Sequence, residues 1–474
     1  MKYAVVTFGC RVNQADSLGF EERLLAAGAV ASSPESADVV IVNSCSVTAT
    51  ADQGTRQTIR RLARENPDAK IVVTGCYATR RPDEVAALPG VVRVVSNDDK
   101  PRLIPLITTI AAEHAEQNIV FAISASSAVQ RRDGDERRGD DADGPCGASI
   151  ALGVAGRTAF TLRVQTGCAE PCSYCIIPET RGAPRSVAID DVLREVERVA
   201  AAGFKEIALT GVHLGSYGRD LTPRASLFDL LVRLTVDSTR DVGRVRPPAS
   251  APSDRARALA RPGRSAEREG RQPDLQFRIS SLEPMDCTPA IVDLVAESDR
   301  FAPHFHLPLQ HASDAMLASM RRPYTIAQYA ALVDRIRERM PHAAIGTDVI
   351  VGFPGETDDD FAQLADYLDR SPLTHVHVFP YSDRPGTAAS RMGDRAPGNV
   401  VRERGRAVRD IGQRLAARFR ESQIGTTHRA LTLEDGTLVV TGNYLKLRIP
   451  PGCARNEWVD VRVASQHDGE MLRR

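Results

Sequence analysis

Lysine is almost missing from this sequence. Only five of its 61 basic residues are lysines (Lys2, Lys70, Lys100, Lys205 and Lys446), so arginine carries the positive charge everywhere and an arginine cluster marks little by itself. An excess of either sign is missing too. The 61 Lys and Arg face 61 Asp and Glu, which excludes a uniformly basic nucleic-acid binder but leaves room for a local basic patch. No apolar run approaches the ~20 residues of a membrane span, and the run ending at Phe8 is too short for the apolar region of a secretory signal. The expectation is a cytoplasmic protein with no membrane partner. Nine cysteines in a reducing compartment, and an odd number of them, argue against a disulfide framework and leave metal binding or catalysis as their use. The rest is ordinary: 474 residues, 42% hydrophobic and 26% charged, fit two to four globular domains.

Three β-branched runs in the first third, Tyr3–Phe8, Asp38–Val42 and Lys70–Thr74, read as strands buried on both faces. Helical patterns at 16–27 and 51–65 separate them, and a βαβαβ order predicts a parallel sheet. Each strand runs into a cysteine: Gly9-Cys10, Asn43-Ser-Cys45 and Gly75-Cys76. Parallel strands end on one edge, where open α/β sheets bind ligands, so Cys10, Cys45 and Cys76 should meet in space. Three thiolates suit an iron–sulfur cluster with one open iron, or an open zinc site. Three separately buried structural cysteines are the alternative.

Residues 122–155, rich in Ser, Ala, Asp and Arg, read as a linker, with Cys146 incidental. A strand over 158–165 then leads into Cys168-Ala-Glu-Pro-Cys172-Ser-Tyr-Cys175. Cys-x-x-Cys alone could be a redox dithiol. A third cysteine four residues upstream favours a second cluster, again with one iron open. Strand patterns near 205–210, 276–281, 304–309, 345–351 and 375–379 alternate with helical ones at 186–202, 289–297, 326–340 and 358–370. Six such βα steps make an open relative of the (β/α)8 barrel, with its working residues at strand carboxyl ends. Thr210-Gly-Val-His213, Ser280-Ser-Leu-Glu283-Pro284, His306-Leu-Pro-Leu-Gln310 and Gly352-Phe-Pro-Gly355-Glu356 all fall there. Residues 236–274, with five prolines and nine arginines, break the rhythm and read as a disordered insertion. Residues 400–423 form a helix carrying Arg402, Arg404, Arg406, Arg409, Arg414, Arg418 and Arg420, a solvated face or an RNA footprint. Short alternating runs after Gly425 predict a small antiparallel barrel.

The two cysteine sets, Gly9-Cys10-Arg-Val-Asn13-Gln, Asn43-Ser-Cys45, Thr74-Gly-Cys76 and the stretch Gly346 to Thr357 together resemble the motifs of the radical S-adenosylmethionine (SAM) methylthiotransferases. Thr441-Gly-Asn-Tyr-Leu445 resembles that family's TRAM domain. His311-Ala312 departs from the Ser-Gly that many members carry there. The resemblance implies an α/β multidomain chain. An N-terminal domain (1–121) would carry an auxiliary [4Fe–4S] cluster on Cys10, Cys45 and Cys76. A radical SAM core (156–397) would carry a second on Cys168, Cys172 and Cys175. A basic connecting helix (398–424) and a TRAM-like barrel (425–474) would follow. Tyr174, Thr210, Gly211, His213, Ser281, Glu283, Gln310, Gly352, Gly355 and Glu356 would line the SAM pocket. SAM would serve as radical source and methyl donor, with a low-potential donor such as flavodoxin or ferredoxin supplying electrons. Arg11-Val12-Asn13-Gln14 resembles the branch acting on N6-threonylcarbamoyladenosine in the anticodon stem-loop of tRNA. Branches acting on isopentenyladenosine or on a ribosomal-protein aspartate are the alternatives, and a non-catalytic iron–sulfur or RNA-binding protein is a reading of another class. No role is implied for Cys287 or Cys453.

Overall fold

The computed structural model describes residues 1–109, 158–235 and 274–472, so the linker at 122–155, Cys146 and nearly all of the 236–274 insertion lie outside the described residues. The chain begins with a five-stranded parallel sheet of β1 (Lys2–Thr7), β2 (Val30–Ala31), β3 (Val39–Ser44), β4 (Lys70–Gly75) and β5 (Val91–Val94). Its order is β2-β1-β3-β4-β5. All six residues of β3 are buried. Alternation along a strand sends Val40 and Val42 to one core, with Ile59, Leu62 and Tyr77, and Val39 and Ile41 to the other, with Phe20 and Leu24. Covering both faces is why the strands read as continuous apolar runs.

The central region contains β6 (Ala159–Arg163), a short antiparallel pair of β7 (Gln165–Thr166) and β8 (Arg185–Ser186), then β9 (Glu206–Thr210), β10 (Gln276–Ile279), β11 (His304–His306), β12 (Ala344–Val351) and β13 (His375–Pro380). Two three-stranded parallel sheets form, β10-β9-β6 and β11-β12-β13, joined by a bridge between Phe277 and Phe301. Helices Ile189–Ala201, Pro289–Glu297, Ile326–Arg339 and Asp358–Arg370 lie close to the expected ranges. Thr325 and Thr357 cap the last two through capping boxes, which fixes where those helices begin. One hydrophobic core, including Leu209, Phe277, Leu307, Ile345 and Leu364, runs beneath both sheets.

The long helix Gly398–Ser422 packs along β13. Its arginines do not form a uniform solvated face. Arg404 is buried against Glu356 at 3.2 Å, and Arg414 pairs with Asp369 at 2.5 Å. Beyond it, β14 (Thr427–Leu433), β15 (Leu438–Thr441), β16 (Lys446–Arg448), β17 (Trp458–Val463) and β18 (Gly469–Met471) form an antiparallel sheet in the order β16-β15-β14-β17-β18. It closes on a core of Ala430, Val439, Leu447 and Val461. Among the described residues no helix is long and apolar enough to cross a membrane.

Candidate active site

The neighbouring strands β1, β3 and β4 deliver Cys10, Cys45 and Cys76 to one sheet edge. Cys10 sits at the N-cap of helix Arg11–Ala26, Cys45 follows β3 directly, and Cys76 opens the helix after β4. Two glycines permit the approach. At Gly9 (φ 89°) a Cβ would lie 2.5 Å from Cys45 Sγ, and at Gly75 (φ 95°) it would lie 2.2 Å from the Ser44 carbonyl oxygen. The polar residues of the same motifs lock the loops. Asn13 Nδ2 donates to the carbonyls of Phe8 (2.8 Å) and Ser44 (2.9 Å), Asn43 Nδ2 donates to Asn13 O (2.8 Å), and Ser44 Oγ donates to Thr74 O (2.5 Å). The Asn residues in these motifs therefore hold the cysteine loops to one another.

The second set lies on one loop. Cys168 N–H donates to Gly182 O at 3.0 Å, Glu170 N–H approaches Cys168 Sγ at 3.4 Å, and Arg322 Nη1 donates to Cys172 Sγ at 3.1 Å. Ser173 ties the loop to the turn after helix Asp314–Ser319 through Met320 O and Ser319 O. Tyr174 packs on Met316, Met320 and Phe353.

The chemistry of the thiols tests whether these sites suit a metal. Burial pushes Cys45 and Cys175 up to about 12 and Cys168 to about 11, and it raises Cys172 as well, against the pull of Arg322. Bare, these thiols would stay protonated near neutrality. A bound cation reverses that preference, because a coordinating thiol is deprotonated. All eight described cysteines are free, so neither set is spent on a disulfide. Both sets fit a cationic cluster. The other two described cysteines sit in apolar packing: Cys287 is buried in the central core and Cys453 lies 3.3 Å from Met471 Sδ.

A cavity of about 780 Å³ opens where the N-terminal sheet, the central strands and the C-terminal antiparallel sheet meet. Gly9, Cys10 and Arg11 form one side. Ile177 and Arg181, on the short helix after the second cysteine loop, form another, and Tyr444 a third. Of the residues expected to line a SAM pocket, Thr210, Gly211 and Ser281 face this cavity. His213 is buried, with Nε2 3.3 Å from Asp286 and 3.9 Å from Glu170. Glu283 pairs with Arg322, which links it to Cys172. Gln310 adopts φ 69° and exchanges backbone hydrogen bonds with Asp348 and Ile350. Gly352 donates its N–H to Glu356, whose carboxylate is wholly buried between Arg404 and His311 (3.5 Å). Glu356 thus holds the Gly352–Gly355 loop onto the long helix, and His311 fills the space beside it.

Several neighbours carry no signature in the sequence. Asn97 Nδ2 approaches Cys76 Sγ at 3.7 Å and donates to Thr180 O at 2.7 Å. Arg181 hydrogen-bonds Asn13 and lies near enough to the Cys76 thiol to interact with it electrostatically. Asp16 gathers Lys100 (2.5 Å), Arg163 (2.7 Å) and Arg181 (3.6 Å). Asp52 gathers Arg80 (3.2 Å) and Arg384 (2.7 Å). These two buried carboxylates clamp the N-terminal sheet to the central region.

Residues 2–97 match the Uncharacterized protein family UPF0004, and residues 162–368 match the Radical SAM superfamily. A threonylcarbamoyladenosine tRNA methylthiotransferase of Aquifex aeolicus is 33% identical over 94% of this chain and 96% of its own length. The Bacillus subtilis protein of the same name is 33% identical over 87% and 80%. A tRNA-2-methylthio-N(6)-dimethylallyladenosine synthase of Acidothermus cellulolyticus is 31% identical over 99% and 84%. The radical SAM methyltransferase TsrM of Kitasatospora setae, solved with cobalamin and a [4Fe–4S] cluster, matches the fold at TM-score 0.50 and 15% identity, over 82% of this chain and 76% of its own.

Proposed function

This chain belongs to the radical SAM methylthiotransferases, which use two [4Fe–4S] clusters and SAM, and from that membership we propose that it adds a methylthio group to C2 of N6-threonylcarbamoyladenosine beside the anticodon of tRNA. The observation that carries the reading is the shared cavity. Cys10 of the first set forms one wall, and the strand-end residues Thr210, Gly211 and Ser281 form another. A base flipped into that space would lie between Cys10 and the strand ends expected to line the SAM pocket. The similarity to the two relatives named for threonylcarbamoyladenosine favours that nucleoside. The dimethylallyladenosine synthases at about 31% identity keep the isopentenyl nucleoside as the second reading.

Cys168, Cys172 and Cys175 would hold the cluster that binds SAM, and Cys10, Cys45 and Cys76 the auxiliary one. With cofactors bound, these sites supply a 5′-deoxyadenosyl radical and a transferable sulfur, chemistry that belongs to the cofactors. The chain's own residues position. Arg322 bridges Cys172 and Glu283 and so fixes the cysteine loop relative to the strand end after β10. Asn13 and Asn43 hold the loop of Cys10 over the cavity. Arg181 spans from the helix after the second loop to Asn13 and Asp16 of the N-terminal domain, and so ties the second cysteine loop to the segment that follows Cys10. The central strands would form an open (βα)6 relative of the TIM barrel, and the C-terminal barrel a TRAM domain. Arg402, Arg406, Arg409 and Arg420 stay exposed on the long helix, and with the barrel they would engage RNA phosphates.

Turnover on synthetic anticodon stem-loops tests the reading. Reduced, reconstituted enzyme with SAM should add the mass of a methylthio group to the stem-loop bearing threonylcarbamoyladenosine, at least ten times faster than to the one bearing isopentenyladenosine. The reverse preference would transfer the assignment to the second nucleoside.

A further inference from the structure

Four histidines and one aspartate face the cavity from three adjacent parallel strands. Side chains two apart on a strand share a face, so His304 and His306 on β11, Asp348 on β12, and His375 and His377 on β13 form one wall. Register places Gly346 between His306 and His375, and Asp348 directly beside His377. Gly346 makes room for the wall, because a Cβ there would lie 1.9 Å from His375 Nε2. His306 Nε2 lies 3.0 Å and His377 Nδ1 3.2 Å from the same oxygen of Asp348, and the two rings are 5.5 Å apart. The inner pair is kept neutral: burial and neighbouring cations lower His304, and burial with the adjacent imidazoles brings His375 down to about 4. His377 differs. Its side chain is 60% exposed, and its hydrogen bond to Asp348 raises its basicity.

The Asp348 contact uses Nδ1, which directs Nε2 of His377 away from the carboxylate. The lining of the cavity carries Arg11, Arg181 and Arg420 but one acidic residue, Asp348, already engaged by two histidines. Such a space suits an anion. Threonylcarbamoyladenosine carries the free carboxylate of threonine, whereas the isopentenyl group is hydrocarbon. We propose that His377, oriented by Asp348 and His306, selects the substrate by donating Nε2–H to that carboxylate, so that an imidazolium lies between two carboxylates. The proposal rests on threonylcarbamoyladenosine being the substrate. A site built to bind a polar group rejects an analogue that leaves it unpaired, which gives His377 its discriminating power.

Equilibrium binding of full-length, anaerobically reconstituted enzyme tests this with three stem-loops. One bears threonylcarbamoyladenosine, one its carboxamide, and one isopentenyladenosine. All carry the same phosphates, so the salt-dependent contribution cancels between them. The wild type should prefer the carboxylate over the carboxamide by about 10- to 100-fold, the range of a hydrogen bond to a charged group. His377→Gln should bind both at the wild-type carboxamide level. Discrimination that survives in His377→Gln would overturn the role of His377, as would a wild type blind to the carboxylate. Wild-type preference for the isopentenyl stem-loop would instead sink the substrate reading itself. One ligand atom each from His306, Asp348 and His377 also lie within 4.8 Å of one another, a set that could hold a divalent metal. One equivalent of zinc bound by the wild type and lost in His377→Gln would assign recognition to a metal and overturn the proton-donor role.

Discussion

Replacing Cys10, Cys45 and Cys76 together by alanine is expected to abolish methylthio transfer while reductive SAM cleavage remains measurable, and to lower the iron content from about eight to about four per chain. The division follows from where the ligands lie. The first set belongs to the N-terminal sheet, whereas Thr210, Gly211, Ser281 and the second cysteine loop belong to the central region. The mirror variant, with Cys168, Cys172 and Cys175 replaced, should also hold about four irons but lose SAM cleavage and transfer together. Iron assay, 5′-deoxyadenosine release and product mass read the three quantities separately. Methylthio transfer by the first variant, or full iron in the second, would contradict the assignment of the two sites.

The second large effect concerns stability. Asp16→Asn should destabilise the docking of the N-terminal sheet by about 3–5 kcal/mol, the usual result of leaving a buried charge without its partner. Lys100 and Arg181 are both buried and both point at Asp16, and the amide cannot neutralise them. Burial by itself would raise the Asp16 carboxyl, but Lys100, Arg163 and Arg181 together hold it below its ordinary value. The sign of the pH dependence follows. With the folded value depressed, the contribution is complete above the unfolded-state value of about 3.9 and is lost as pH falls below it. Asp16→Asn should therefore melt well below the wild type at pH 7, and the gap should close in acid. The exposed pair Arg61–Glu65 serves as the contrast, since Glu65→Ala should cost at most about 1 kcal/mol. Equal melting temperatures for Asp16→Asn and the wild type at pH 7 would contradict the clamp.

The first sheet was legible because each of its central strands is buried on both faces and reads as a β-branched run, and because a cysteine follows each one. The edge strands Val30–Ala31 and Val91–Val94 were not, being short and largely exposed. Helix starts marked by Thr325 and Thr357 carried local signals, so their positions agree closely. The convergence of Cys10, Cys45 and Cys76 was legible for the same reason, since a strand end marks each one, and local spacing alone groups Cys168, Cys172 and Cys175. Partners drawn from distant segments were not. Arg322 reaches Cys172 across 150 residues, and Arg163 reaches Asp16 across 147. No periodicity encodes such pairs. The arginine-rich helix shows the same limit. Its charges suggested a solvated face or an RNA footprint, yet Arg404 turns inward to Glu356, which also accepts from the Gly352 N–H. The histidine wall lay half in view: the spacing of His304 with His306 and of His375 with His377 is a strand signal, but only the strand order puts Asp348 between them.

The most direct measurement of the central claim is mass spectrometry of tRNA nucleosides from a strain lacking this gene and from the same strain with the gene restored. The account predicts that 2-methylthio-N6-threonylcarbamoyladenosine disappears in the deletion, that unmethylthiolated N6-threonylcarbamoyladenosine accumulates in its place, and that the wild-type gene, but not the Cys168, Cys172 and Cys175 variant, reverses both changes. An unchanged level of the methylthio nucleoside in the deletion strain would contradict it.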